Sequence, residues 1–596
     1  MDEKMIIPEG KLATLVRDGV ELPRSGGESG GELVLTDKLD IRHSCELSAD
    51  KAVNYRAGLF ITKDGLRPEG SVTAAVTGGR YDDACADGVA VESRSADFSA
   101  LIVDGGAYAL KNAKLNMISE SDGKEVCDFA GLGSAVCAFN GARVDIENCD
   151  IVTEGVAKCT VFVDDGSDVV IRDSRLEARG GKLYDGYINS ADFNYMVAPP
   201  WVLGIAGNAR GTNLMGNKAA TVLVNSDVKA ANWGALSTDN GEDNRLTVID
   251  TTLSVTGCEA DKKDPYHKTW GSGYGTYILG ADEDFRGVTM NVGTYIGIAR
   301  EGNAVYRSSR GHIRVESPTT GQVLYEGEGK GQISRLNSDV FGIMAHDRAE
   351  LTLTDGTVMH TGDAAFLMRA GGVKIRIEDG AQVRSDSGVL LQLIDDDDAI
   401  VGVDWDAARE LQFHTDFYEK EGWPSENGQI TSMMPPPDLS KLPPPPPGDM
   451  PEPQFDVRLW AEDTELTGDM FNGSGYYGQR PKQMYITLGK GAVLTGRISA
   501  TETIHVDENG RQNTHFTSDQ YYYLGHVANR PYLNGDNDTV VTLQDGAVWN
   551  VTGPCLLTSL ELKSGAALNG VVTVDGREIV PRQDVVYTGR IEVRAK

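Results

Sequence analysis

The side chains best suited to proton transfer lie in short alternating stretches: Tyr277 in GYGTYILGAD and His346 in DVFGIMAHD, with a guanidinium, Arg307, in NAVYRSSRG. Elimination or isomerisation needs a base near an acidic C–H, an acid for the leaving oxygen and a cation to steady the negative charge. Here His346 or Tyr277 is the expected base or acid and Arg307 the charge stabiliser, with no metal or cofactor required. Asp239, in WGALSTDNG, adds a carboxylate. Arg210, Arg310 and Arg369 are expected to hold a substrate carboxylate or hydroxyl, helped by Tyr306 and Gln392. Tyr195, Trp201, His267 and Trp270 offer rings that stack on a flat or sugar-like ligand. Each residue has a structural alternative, because strand alternation sends half of all side chains into a core. Arg307 and Arg310, three apart, face opposite sides of any continuous strand. Glycoside hydrolysis is a weaker alternative, since it needs two flanking carboxyl groups and Asp239 alone is a good candidate.

What would bring such distant residues together is a repeat. RVDIENCDIVTEG (143–155), DVVIRDSRLEARG (168–180), ATVLVNSDVKAANWG (220–234), RLTVIDTTLSVTG (245–257), ELTLTDGTVMHTG (350–362) and VKIRIEDGAQV (373–383) share one pattern. Two apolar residues alternate, an Asp or Asn follows two positions later, and another apolar residue usually comes three after that. The polar marker falls at Asn148, Asp173, Asn225, Asp250, Asp355 and Asp379, with gaps of 25, 52, 25, 105 and 24. Two degenerate copies, with Val292 and Ser317 in the marker slot, fill the largest gap and leave a unit near 25 residues with three insertions. Alternation over such short runs means strands. The units are not punctuated by the Asn-Gly or Asp-Gly of tight hairpins, so each strand is expected to pair in parallel with its equivalent one repeat later. Asp or Asn at one corner tolerates the left-handed backbone of a sharp bend. The expected fold is all-β, a right-handed parallel β-helix of about 25 residues per coil.

On this pattern the chain resembles the pectin-lyase-like β-helix superfamily through residues 130–395. The likeness is weaker over 484–575, where ITLGKGAVLTG and VTLQDGAVWNVTG place Lys490 and Asp545 in the marker slot. The resemblance implies architecture more strongly than activity. Lyases of that superfamily use Arg, Lys, His or Tyr, which favours a lyase or isomerase. Its polysaccharide hydrolases carry an Asn-Thr-Asp strand, an Asp pair, a Gly-His-Gly and an Arg-Ile-Lys. Only fragments occur here, Ser237-Thr238-Asp239 and Gly311-His312-Ile313.

Seven stretches, 201–211, 233–241, 273–282, 303–311, 339–347, 364–372 and 389–398, are read as one strand row preceding the marker strands. The insertions 181–200, 258–273 and 318–338 all enter ahead of this row and are expected to wall a cleft on that edge. An oligosaccharide, or another polyhydroxylated or phenolic small molecule, is the expected substrate. A non-catalytic carbohydrate-binding or adhesin-like protein is the main rival, and a trimeric tailspike a further one. Asp395–Asp398 is a poor calcium site, because one run seldom encircles an ion. The glycines at 271, 273 and 275 lack the helix a phosphate loop needs.

Eighty-eight acidic against 56 basic residues give a net charge of −32, which argues against nucleic-acid and anionic-membrane partners. No apolar run is long enough to span a bilayer. As given, the chain reads as cytoplasmic, or as secreted if a leader was trimmed. The eight cysteines stand singly and suggest reduced core thiols rather than disulfides or zinc ligands. The expected organisation is an irregular N-terminal cap (1–95), the main β-helix (96–395), an insertion with a proline-rich strap (396–483), and C-terminal coils with an end cap (484–596). Ten of the 22 prolines fall between Pro435 and Pro453.

Overall fold

The computed structural model describes residues 53–95, 97–119, 130–182, 205, 207–255, 273–345, 348–369, 371–394, 456–474, 483–506, 509–512 and 525–596. It also describes short pieces at 4–10, 12–17, 19–22, 29–34, 39–41, 402–403, 425–426, 429–430 and 515–516. The strap 435–453 and the acidic run 395–398 lie outside the described residues. The described residues are nearly all β, with two 3-10 turns, Pro68–Gly70 and Thr73–Ala75, and no α-helix among them. Contacts divide the chain into two compact units. Residues 1–200, 205–293 and 308–334 form the first, and residues 201–204, 294–307 and 335–596 the second.

In the first unit three rows of parallel strands run side by side. One row holds Phe98–Asp104, Val136–Phe139, Val161–Val163 and Thr212–Leu214, then residues 234–239 and 274–279 of two longer strands. The second holds Ala107–Lys111, Arg143–Glu147, Asp168–Arg172 and Ala220–Val224, then residues 245–249 and 282–286. Lys114–Ile118, Asp150–Glu154, Arg175–Ala178, Asp227–Ala230, Thr252–Val255 and Thr289–Val292 make the third. Ile146 pairs with Ile171 and Leu223 with Val248, each 25 residues on, so one apolar pattern buries the same side of every strand. The ladder starts earlier than the sequence suggests, since Val53–Thr62 already pairs in parallel with Phe98–Asp104.

The corner between the second and third rows is where the polar marker sits. Asn148, Asp173, Asn225 and Asp250 all have positive φ, 53°, 50°, 49° and 48°, and Asn112 (50°) extends the series upstream. Short polar side chains bear this conformation better than branched ones, and they hydrogen-bond along the corner. Asn148 Nδ2 donates to Asn112 Oδ1 (2.6 Å), Asn112 Nδ2 to Asp87 Oδ1 (2.7 Å), and Asn225 to Asp173. A second ladder lies one residue on. The amides of Cys149, Ser174 and Ser226 donate to the hydroxyls of Ser174, Ser226 and Thr251, at 3.0, 3.2 and 3.2 Å.

Both degenerate repeats differ from expectation. Val292 belongs to a third-row strand, and the corner there is Gly287, with φ 64°. Ser317 is at no corner, because His312–Glu316 pairs antiparallel with Val323–Glu328. The cause is a stripe of apolar residues on the second row, Val170, Ala220 and Val222, against which Leu324, Val315 and Tyr325 pack. The third insertion therefore covers the second row and does not wall the first. Thr319 Oγ1 anchors it to the Lys218 carbonyl (2.6 Å), and Arg172 reaches the Leu324 carbonyl (3.2 Å).

The second unit repeats the three rows. Residues 295–299, Phe341–Ala345, Phe366–Met368, Val389–Leu393, Asp469–Ser474 and Ile498–His505 form one. Residues 302–306, Ala349–Leu353, Val373–Ile377, Asp456–Ala461, Gln483–Leu488 and Thr539–Leu543 form the next. The pairing of Val373–Ile377 with Asp456–Ala461 joins the strands after the 396–455 excursion to those before it. Asp355, Asp379 and Asp463 turn the corner at φ 51°, 51° and 46°, whereas near Lys490 and Asp545 the positive φ falls on the next residue, Gly491 or Gly546. Antiparallel strands at Val571–Val574, Arg577–Ile579 and Val585–Arg594 end the ladder.

Candidate functional site

In the first unit, strand Gly234–Ile249 pairs with Tyr274–Arg286 so that Ser237 faces Tyr277 and Asp239 faces Leu279. Asp239 is buried and pairs with Arg210, also buried, whose guanidinium lies 3.8 Å from the centre of the Trp233 ring. A desolvated carboxylate needs such a partner, so Arg210 serves Asp239 here. Ser237 Oγ and the Tyr274 hydroxyl are 2.8 Å apart, and the Tyr274 and Tyr277 rings are tilted at 5.8 Å. Tyr277 is half-buried and Arg310 exposed. Nearby, the Thr238 and Thr276 hydroxyls donate to Glu283, at 2.9 and 2.6 Å. Burial pushes the Glu283 carboxyl up to about 8 against the opposing pull of both hydrogen bonds.

Within the second unit, Tyr306 and Arg307 lie elsewhere than in the expected row. Strand Tyr295–Arg307 runs through two rows: residues 295–299 pair with 341–345, and residues 302–306 pair with 349–353. Arg307 is thus at the end of a second-row strand, whereas Phe341–Ala345, which leads into position 346, is in the first. Alternation looks the same in both halves, and Gly302 (φ 138°) is the only break in the pattern. Tyr306 is fully buried and Arg307 half-buried. Gln392 is also buried and exchanges hydrogen bonds with Asn529, at 3.2 and 2.7 Å, while Asn529 accepts from Thr501 (2.9 Å). Arg369 is buried too. Burial raises the Tyr295 phenol above its ordinary range, and the Arg369 charge pulls it back in part. His346, Tyr195, Trp201, His267 and Trp270 lie outside the described residues.

Two features escaped the sequence. His526 Nδ1 is 2.6 Å from Asp363 Oδ2, with about a quarter of each side chain exposed. Burial would raise the Asp363 carboxyl, but the hydrogen bond and charge of His526, the Ser387 hydroxyl and the Ala364 amide together hold it below its usual value. Phe341 lies 5.0 Å from the His526 ring and stacks on Tyr295 at 5.5 Å. No motif in DAAFLMRAGG or YYYLGHVANR announces this pair. The other feature is an open groove of about 680 Å³ along the marker corner of the first unit. Asn112, Asn148, Asp173, Asn225 and Asp250 line one edge, and Lys114, Asp150, Arg175 and Asp227 the other. Arg175 is braced there by Asp150 (2.9 Å) and Glu177.

Among the described residues no three His, Cys, Asp or Glu side chains are placed to hold a metal ion, and no helix is long and apolar enough to cross a membrane. Compared with family models, curated proteins and solved structures, the chain matches nothing.

Proposed function

We propose that this chain is a right-handed parallel β-helix of the pectin-lyase-like kind that binds an oligosaccharide, without transforming it, along the marker-corner groove. Three parallel rows with a 25-residue offset and left-handed Asp or Asn at one corner support the architecture. The observation that carries the binding reading is the groove itself. An amide or carboxylate recurs on it once per repeat, about 4.8 Å apart, with two cations, Lys114 and Arg175, beside them, and these offer donors and acceptors to a ligand that also repeats. Several groups expected to work on a substrate are instead buried and paired, Arg210 with Asp239 and Gln392 with Asn529, whereas the groove side chains are largely exposed. Calorimetry against a panel of neutral and acidic oligosaccharides tests the reading. Asp150→Ala with Asp227→Ala, both exposed groove residues, should weaken binding about tenfold or more, roughly the 1.4 kcal/mol of one lost polar contact, with melting unchanged. Failure of every glycan to bind, or appearance of a chemical product, rejects it.

A second reading, an acid–base lyase or isomerase, is favoured by His526 and Asp363. A histidine oriented by a carboxylate is the unit from which general bases are made. Under this reading His526→Ala abolishes turnover of a polyhydroxylated or phenolic substrate while the glycan isotherm is kept.

A further inference from the structure

Lys158 is among the largest fully buried side chains of the first unit, with no exposed side-chain surface, and its partner Asp97 has 9%. Nζ lies 3.2 Å from Asp97 Oδ1 and donates to the Leu132 carbonyl at 2.8 Å. The backbone is fitted to this approach. Asp97 is held at φ 58°, and at Gly133 (φ 74°) a side-chain carbon would stand 2.9 Å from Nζ, so only glycine leaves the space. Thr153 Oγ1 donates to the Lys158 carbonyl (2.8 Å) and fixes the other end.

We propose that this pair is a modification site, at which Lys158 and Asp97 condense after folding into an amide between Nζ and Cγ. Burying two charges away from water is costly, and moving one proton from the ammonium to the carboxylate gives a neutral amine and a neutral acid. The freed lone pair on Nζ attacks Cγ. The Cγ–OH bond then breaks, its electron pair leaves with the hydroxyl, and the proton lost by nitrogen completes one water. The sum is ammonium plus carboxylate giving amide plus water, with no oxidant, reductant or activating group. Fixed proximity replaces a bimolecular encounter, and exclusion of solvent protects the product from hydrolysis. The bond would close a loop across a sequence separation of 61 at the start of the ladder.

Mass spectrometry of the full chain, denatured and reduced, tests this directly. The intact mass is expected to be lighter than the sequence by one water, and tryptic digestion should release a branched peptide joined through Asp97 and Lys158. Lys158→Met should restore the linear mass, a readout that holds even if this variant folds poorly. A linear wild-type mass with the two residues on separate peptides overturns the proposal. So does a water loss that persists in Lys158→Met, which would mark a succinimide at an Asp-Gly site such as Asp64-Gly65.

Discussion

Two buried groups give this molecule its sharpest residue-scale expectations. Glu283 is protonated in the folded state until the pH nears 8, whereas unfolded it ionises near its ordinary 4.5. The folded state therefore holds the extra proton between those values. Its stabilising contribution is complete below about pH 4.5 and is lost as the pH rises towards 8, with a slope of up to about 1.4 kcal/mol per pH unit. Urea unfolding of the wild type and Glu283→Gln at pH 5 and pH 8 measures this. The variant keeps a polar group between Thr238 and Thr276 and should lose most of the difference between the two pH values. At Arg210 and Asp239 the cost is one of orphaned charge. Asp239→Ala leaves a guanidinium buried against Trp233 and should cost about 3–5 kcal/mol, whereas Arg210→Met with Asp239→Leu should cost clearly less. Equal losses in the single and double variants would show that packing, not charge, dominates.

At the scale of the element, the corner is the part most fully written in the sequence. Replacing Asp173 by Ala keeps a Cβ in the left-handed region and removes the acceptor for Asn225, so a loss of about 1–2 kcal/mol is expected, with Asp173→Asn near neutral. Chemical denaturation of the two variants side by side checks the contrast. Period, strand type and marker conformation were all legible, because each depends on a few adjacent residues. The degenerate repeats were not. Val292 and Ser317 fit the spacing, but a glycine had taken the corner and a hairpin the following stretch, and neither changes the local alternation. The candidate site was the least legible, for a related reason. Row membership of Tyr306 and Arg307 depends on which distant strand each pairs with, and the pairing of His526 with Asp363 joins stretches that share no pattern. Of the expected substrate-holding groups, Arg210 and Gln392 were legible as polar side chains, but the partners that claim them, Asp239 and Asn529, were not.

For the whole molecule the governing fact is that a parallel ladder has ends. Every strand along a row satisfies its backbone through its two neighbours, so each end exposes a row of unpaired amides and carbonyls that invites other chains. At the C-terminus the answer is antiparallel: Val585–Arg594 pairs with Cys555–Leu562 and with Val571–Val574, reversing direction where a further parallel strand would have left an open edge. Within the second unit the excursion after residue 394 is no such end, because Asp456–Ala461 takes the edge of Val373–Ile377 and Asp469–Ser474 that of Val389–Leu393. A chain stopped at residue 395 would bare both edges, together with apolar residues such as Ile375 and Leu391 that those later strands help to cover. It should aggregate, while a chain lacking only residues 404–424 and 431–450, bridged by a short flexible linker, should stay monodisperse and melt as the full chain does. Size exclusion with light scattering on the two variants decides the matter. A soluble, monodisperse 1–395 would mean that the strands on either side of the excursion are independent of one another.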